Sequence, residues 1–393
     1  MKICFVSNCY APWTIGGAEV IMQAQAESCR EAGHEVFVVT LSPDGRTVQD
    51  FVKNVPVYRQ ATRNFYWPFA PAEQRSRLRK ALFHVRDVYN TAAARDFIRL
   101  IEQESPDVVV SHNLCGFSVA LWSYLDARSI PVVHVLHDYY LMCPNTTRYH
   151  NGADCGAACN ILSVLKRKTT GAVKAVVGVS QYVLEQHLSR GYFPRASQQV
   201  IYNGRALLGG EHRSRVHGQP LRVGFLGRVE HVKGIELLLQ ALAADQSLSI
   251  ELQVGGRGEP EYLAYLQQKY PDQRVSYLGF VKAADFYQGV DVLVVPSLWH
   301  EPLPGVIYEP WEYGVPVLAS EVGGIPEMIN AAGVGWLVPP GDAGALLSAL
   351  QEVVSLGDKL NEFAEPLKRA RMNYLPERAS ASLLEVISSV LAR

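Results

Sequence analysis

The feature that most constrains this chain is a rhythm. Short runs of apolar, β-branched residues alternate with segments of helical spacing, the alternation stops once, and then it begins again. Lys2–Ser7 opens as a strand, Ala11–Gly17 carries Pro and paired Gly, and Ala18–Ala32 has helical spacing closed by Gly33 before a second strand at Glu35–Leu41. Further strands are expected at Asp107–Ser111, Pro131–Leu136, Ala175–Val179 and Gln199–Tyr202, with a helix from Gln181 before the last. Strands separated by helical crossovers pair parallel, so the pattern predicts βαβ units.

Over Ala206–Pro220 (ALLGGEHRSRVHGQP) the periodicity lapses into Gly and mixed charge, which reads as a linker. The rhythm restarts at Leu221–Leu226 and continues through Ile250–Val254, Val275–Leu278, Val292–Val295, Val317–Ala319 and Trp336–Val338. The expected fold is α/β, with two Rossmann-like doubly wound domains facing across a cleft. They occupy residues 1–205 and 221–375, joined by the linker 206–220, and a terminal helix within 376–393 crosses back to the first domain. The 393 residues accommodate two domains of the usual size.

Composition narrows the function. Apolar residues are 48% and charged residues 19%, values of a folded globular chain that exclude disorder and collagen-like repetition. No uninterrupted apolar run reaches the ~18 residues of a membrane span, and the one at the N-terminus is too short for a secretory leader. The expectation is a cytoplasmic enzyme. A net charge of −1 argues against nucleic acid as a partner. Yet Met1–Arg205 carries 22 Lys+Arg against 16 Asp+Glu and the remainder 15 against 22, so the first half has the basic face suited to an anionic surface or substrate. Seven cysteines, an odd number, fit reduced thiols better than a disulfide framework.

In open α/β sheets, ligands bind beyond the carboxyl ends of the strands, and four groups of residues fall there. Gly16-Gly17-Ala18-Glu19 lets the backbone approach an anion at a helix start, although an ordinary strand–helix turn needs the same residues. Gly227-Arg228 and Lys233-Gly234 place two cations five residues apart, able to clamp a diphosphate or simply to line a solvated loop. Glu301 and Glu309 lie in HEPLPGVIYEPWEYGVPV; with a helix from Gly305, backbone N–H groups face a phosphate and a carboxylate faces sugar hydroxyls, but spacing alone equally describes two surface glutamates. His112 and His137 each follow an apolar strand, where a histidine either binds a ligand or satisfies the core.

Taken together, these segments resemble the retaining glycosyltransferases of family 4, which have the GT-B architecture. The second half is similar through FLGRVEHVKGIELLLQAL, LQVGGRGE, VSYLGF, DVLVVPSLWHEPLPGVIYE and GVPVLASEVGGIPEMI, and the first through GGAEV, GHEV, LHDYYLMCP, VGVSQYV and VIYNGR. The resemblance implies a nucleotide-diphosphate-sugar donor and a glycan or lipid-linked glycan acceptor. It implies catalytic roles for Glu301, His137, Arg228 and Lys233, with Arg228 and Lys233 holding the donor diphosphate, Glu301 contacting the transferred sugar and His137 touching it. Glu309 would bind the ribose, Gly279 and Phe280 the base, and Gly255-Gly256 would line the nucleotide. Gly17, Pro304, Gly305 and Val306 complete the donor side, while Gly16, His112 and Asp138 lie on the acceptor side. Pro304 stands where many relatives have Gly, and Pro310 replaces a common Ala, which bears on where the helix starts and where Glu309 points.

With two cations and no aspartate pair of the DxD kind, no divalent metal is expected for transfer and no resident cofactor. Cys143, Cys155 and Cys159, with His150 nearby, have spacings of eleven and three that do not match CxxC pairs, so they read as a structural acceptor-side loop more readily than as a zinc site. Ala72–Asn90 and Ile161–Val176 set basic side chains beside apolar ones at helical spacing, which suits a solvated helix or peripheral binding to the inner face of an anionic membrane. The resemblance implies a place in polysaccharide biosynthesis for the cell envelope. A nucleotide-sugar epimerase or hydrolase is the alternative within the same architecture. A dinucleotide oxidoreductase needs a GxGxxG that neither GGAE nor GGRGE supplies.

Overall fold

The computed structural model of the protein describes residues 1–13, 16–70, 76–150, 152–210, 214–216 and 218–392. The chain divides into two compact units, Met1–Gly204 together with Pro376–Arg393, and Arg205–Leu375.

In the first unit the chain runs through β1 (Lys2–Val6), α1 (Gly17–Glu31), β2 (Glu35–Ser42), β3 (Val48–Val52), β4 (Val55–Ala61), α2 (Arg77–Val88), α3 (Thr91–Glu104), β5 (Val108–Ser111), α4 (Ala120–Asp126) and β6 (Val132–Leu136). A two-residue hairpin, β7 (Tyr149–His150) and β8 (Ala153–Asp154), precedes α5 (Ala157–Thr169), β9 (Ala175–Gly178), α6 (Gln181–Leu188) and β10 (Ser197–Val200). The main sheet has the order β10-β9-β6-β5-β1-β2-β4-β3. Its pairings are parallel except that between β3 and β4. Residues of β5, β6 and β9 are buried throughout, which is why these strands read as unbroken apolar runs: helices cover both faces of a parallel sheet.

Two details depart from expectation. The β3–β4 hairpin has no counterpart in the sequence reading, because its turn is Lys53-Asn54, both at positive φ, without the glycine that usually signals such a turn. The last strand is Ser197–Val200, two residues earlier than the expected Gln199–Tyr202. The terminal helix Pro376–Leu391 packs on α1 and buries Leu383 and Ile387 completely.

The second unit contains β11 (Leu221–Leu226), α7 (Ile235–Ala244), β12 (Ile250–Gly255), α8 (Pro260–Lys269), β13 (Val275–Gly279), α9 (Ala283–Gln288), β14 (Val292–Val295), α10 (Gly305–Tyr308), β15 (Val317–Ser320), α11 (Ile325–Ala332), β16 (Trp336–Val338), α12 (Ala343–Leu356) and α13 (Ala364–Arg371). Its sheet is parallel in the order β13-β12-β11-β14-β15-β16. The strands progress outward from β11 and then reverse at β14, so the topological switch point lies between these two. Val223, Phe225, Leu252 and Val294 from the sheet pack with Leu238, Leu242 and Leu350 from α7 and α12 in one core.

The stretch expected to be a linker is part of this second unit. Arg205 N–H donates to the Tyr374 carbonyl at 2.9 Å, the N–H groups of Leu208 and Gly209 donate to the Glu312 carboxylate at 2.9 and 2.7 Å, and Arg215 pairs with Asp291 at 3.0 Å. These anchors are backbone groups and distant carboxylates, which leave no periodic trace in the segment itself.

Candidate active site

The switch point of the second unit brings together residues that the sequence separates by 68 positions. Lys233 ends a short 3-10 turn after β11, and Glu301 lies in the loop after β14. Their charged ends meet at 2.5 Å, with the carboxylate almost wholly buried. Ser297 Oγ and Trp299 Nε1 also donate to Glu301 Oε1, at 3.0 and 2.8 Å, and the Lys233 ammonium lies 5.4 Å from the centre of the Trp299 ring. Three donors on one oxygen fix the carboxylate and leave Oε2 to a ligand, since no other described residue bonds it. The sequence reading gave Lys233 and Glu301 separate tasks; the fold makes them one ion pair.

Two glycines hold that pair in place. Gly234 sits at φ +73, and a Cβ there would lie 1.8 Å from the Pro296 carbonyl oxygen. Gly323 sits at φ +60, where a Cβ would lie 2.1 Å from the Glu301 carbonyl oxygen, and the neighbouring Gly324 N–H donates to that same oxygen at 2.8 Å. Both strand-end loops therefore touch backbone to backbone, an approach only glycine permits.

The helix expected from Gly305 is a single turn, Gly305–Tyr308, capped by Pro304, and Pro310 converts its continuation into a 3-10 helix. Glu309 stands at the junction and is buried. Its Oε1 accepts from Arg205 at 2.7 Å and its Oε2 from the Tyr287 hydroxyl at 2.9 Å. Oε1 folds back over Gly305, where a Cβ would lie 2.7 Å from it. Val306 is half-buried in the same turn. Neither Arg205 nor Tyr287 was singled out from sequence, although Arg205 closes the VIYNGR segment; burial of Glu309 beside Arg205 holds the guanidinium charged, its pKa raised by the carboxylate in spite of desolvation.

At the same strand ends, Gly227 N–H donates to the Gly255 carbonyl at 3.0 Å and Gly256 N–H to the Gly279 carbonyl at 2.6 Å, lacing β11, β12 and β13 together. Phe280 projects with 72% exposure, and the Arg257 guanidinium stacks on its ring at 5.1 Å. An exposed aromatic ring backed by a cation is a platform on which a planar heterocycle can stack. Arg228 extends into solvent, paired with Glu230 at 2.8 Å, and so differs from the tightly held Lys233.

In the first unit the switch lies between β1 and β5, and the expected residues gather at those ends. Gly16 caps α1, its N–H donating to the buried Glu19 carboxylate at 2.8 Å, and Gly17 is the first helical residue. His112 Nδ1 and His137 Nε2 are 2.8 Å apart, and the two rings stack. Burial lowers the pKa of both, His137 to about 4, so each is neutral at pH 7. His112 Nε2 is buried with no partner among the described residues. A buried donor left unpaired costs more than an unpaired imidazole lone pair, so the proton belongs on His112 Nδ1, donating to His137 Nε2. His137 then carries its own proton on Nδ1, available to a ligand. Burial also raises Asp138 to about 6, opposed by the Tyr140 N–H that donates to its carboxylate at 2.8 Å.

The two basic amphipathic segments form α2 and α5, which pack against each other; residues 72–75 of the first lie outside the described ones. Leu78 and Val85 of α2 and Ile161 of α5 are more than 60% exposed. No helix among the described residues is long and apolar enough to cross a membrane.

Two family models match the chain, one described as Glycosyltransferase Family 4 over residues 15–207 and one as Glycosyl transferases group 1 over residues 220–355. An uncharacterized 42.6 kDa protein in the cps region of Klebsiella pneumoniae is 31% identical over 331 residues, covering 84% of this chain and 87% of its own. The O-antigen chain mannosyltransferase C of Escherichia coli is 24% identical, covering 94% and 93%. Among solved structures, Anabaena Alr3699/HepE in complex with UDP superposes with a TM-score of 0.73 at 18% identity, over 99% of this chain and all of that one.

Proposed function

The chain belongs to the group 1 glycosyltransferases of GT-B architecture, enzymes that transfer sugars, and on that premise we propose that it moves a sugar from a nucleotide-diphosphate sugar to a glycan or lipid-linked glycan in polysaccharide assembly, with retention of anomeric configuration and no divalent metal at the reacting centre. The observation that carries this reading is the Lys233–Glu301 pair, its carboxylate buried, at the switch point of the second sheet. A departing diphosphate gains negative charge as the glycosidic bond breaks, and a preorganised cation beside it lowers that barrier without reorganising. Lys233 spends one N–H on Glu301 and keeps two for phosphate oxygens. Glu301, fixed through Oε1, turns Oε2 to a sugar hydroxyl.

Glu309, oriented by Arg205 and Tyr287, supplies the carboxylate for ribose hydroxyls, and Phe280 with Arg257 supplies the stacking surface for the base. His137 Nδ1–H is the donor that the first unit offers to a sugar hydroxyl. Arg228, free to turn on its exposed stem, adds a second cation when the diphosphate arrives. In the retaining route a phosphate oxygen of the leaving group takes the acceptor proton, so no carboxylate need act as nucleophile.

A thermal-shift panel of UDP, GDP and ADP tests the donor site. One diphosphate stabilises the wild type, and Lys233→Met abolishes the shift while leaving the unliganded melting temperature within a few degrees. Stabilisation by none of them sinks the reading. Lys233→Met lowers kcat/KM by about 10²–10³, the usual range for one transition-state donor. Transfer persisting in EDTA, and a product whose anomeric configuration matches the donor by NMR, check the metal and stereochemical parts. Free sugar released at full rate without acceptor would assign hydrolysis instead.

The exposed apolar residues of α2 and α5, interleaved with Arg77, Arg79, Lys80, Arg167 and Lys168, suit peripheral attachment to an anionic inner membrane face, where a lipid-linked acceptor resides. Flotation with anionic vesicles carries the protein upward, and Leu78→Glu with Ile161→Glu leaves it at the bottom. Wild-type protein that stays behind at moderate salt contradicts attachment.

A further inference from the structure

Between β6 and α5 of the first unit, from Tyr139 onward, the chain makes a small fold of its own. The Tyr139 carbonyl accepts from the N–H groups of Met142 and Cys143, Cys143 carbonyl accepts from Thr146 N–H at 3.0 Å, and Tyr139 N–H returns to the Thr146 carbonyl at 2.9 Å. The β7–β8 hairpin then doubles back, and Cys155 N–H donates to the Arg148 carbonyl at 2.9 Å. Two residues later α5 begins, with Cys159 in its first turn.

Each of these local structures delivers one thiol to the same point. Cys143 and Cys155 sulfurs are 3.3 Å apart, and the sulfurs of Cys143, Cys155 and Cys159 all lie within 4.8 Å of one another. Tetrahedral thiolates about one zinc, at ~2.3 Å per bond, are separated by ~3.8 Å, inside that range. Among the described residues this is the one such convergence of three ligand-bearing side chains. Spacing argued against a metal because it lacks CxxC pairs; the hairpin replaces that spacing with a turn in space, bringing Cys155 back beside Cys143.

We propose that Cys143, Cys155 and Cys159 together bind one zinc ion through three thiolates, with water in the fourth position, stapling the hairpin to the start of α5. Cys143 is buried, whereas Cys155 and Cys159 are partly accessible, which gives the ion an entry path and the fourth position its solvent. His150 is exposed and stands outside the three-sulfur group. Three converging sulfurs distinguish this site from a disulfide, which would use two and leave the third without a task. Binding displaces the thiol protons, one for each bond formed, so affinity rises with pH.

The full-length chain, purified under reducing conditions and stripped with a chelator, is titrated with zinc chloride and separately with cobalt chloride. Uptake of about one zinc per chain, a thiolate-to-cobalt charge-transfer band, and loss of three thiols from the native count with a thiol reagent are expected. Cys155→Ser and Cys159→Ser each remove the stoichiometric zinc and the band, whereas Cys29→Ser, a buried thiol far along the sequence, retains both. Wild-type protein that takes up no zinc, or that shows no change in reactive thiols on titration, overturns the proposal. So does a Cys143–Cys155 disulfide in the native protein, read as a peptide pair two hydrogens lighter by mass spectrometry. The wild-type readouts stand even if a serine variant fails to fold.

Discussion

Arg205 illustrates what one residue contributes that no local pattern announces. Its guanidinium meets Glu309 104 positions on, at a buried carboxylate whose other side-chain partner among the described residues is the Tyr287 hydroxyl. Arg205→Met strands that charge, and the cost is about 1–3 kcal/mol, discounted from the range for fully buried pairs because the arginine is one-third exposed. We expect chemical denaturation to show that loss and nucleotide affinity to fall with it, while Tyr287→Phe costs less in both. The placement of Lys233, Gly234 and Glu301 was readable from sequence because each lies in a loop that follows a strand, where the architecture puts ligands, whereas Gly323 was not singled out. Arg205 and Tyr287 were not, since their role exists only through Glu309. Gly234 makes the residue-scale argument sharper. With φ +73 and a carbonyl oxygen 1.8 Å from any Cβ, Gly234→Ala forces the two loops apart, and destabilisation of about 3 kcal/mol or more is expected in urea unfolding.

Elements followed the sequence where period and burial agreed. The strands β5, β6, β9 and β14 are continuous apolar runs and are buried on both faces, so pattern and environment coincide. The β3–β4 hairpin escaped notice because its residues alternate weakly and its turn carries Lys53 and Asn54 at φ 46 and 65, positions that strongly prefer Asn-Gly. That mismatch is a prediction. Lys53→Asn with Asn54→Gly relieves left-handed strain and should raise stability by about 1 kcal/mol; the ion pair of Lys53 with Glu27, at a side chain 68% exposed, contributes little to lose. An unchanged or lowered midpoint in denaturant would show that the hairpin is paying no such penalty. The short α10 shows the reverse case: Pro310 was visible in sequence as a disturbance, and the α-helix ends at Tyr308, two residues before it.

At the scale of the molecule the two units differ in how they meet acid. The first buries His112, His134 and His187 and half-buries His137, all with pKa values lowered by desolvation, His134 to about 3 and His137 and His187 to about 4. The unfolded chain binds these protons near pH 6.5, so their contribution is intact above that value and is lost as pH falls towards 4. For His137 alone, the shift from 6.5 to about 4 amounts to about 3 kcal/mol. Asp138, raised to about 6, and Asp87, also raised by burial, act in the opposite sense over part of that window but are two groups against the four histidines. Hydrogen exchange at pH 7 and pH 5 should therefore show protection falling in β5, β6 and α6 while the core of the second unit holds. Equal loss in both units would contradict this assignment.

The terminal helix Pro376–Leu391 belongs to the first unit although the whole of the second is synthesised between them. While a ribosome is still making residues 205–375, the face of α1 that later packs against the terminal helix is left uncovered by it. The earlier-made unit thus finishes later, its greasy seam open throughout translation of its neighbour. A nascent chain stalled after Leu375 should be captured by chaperones and cleaved by added protease within the first unit, and release of the remaining residues should close that window.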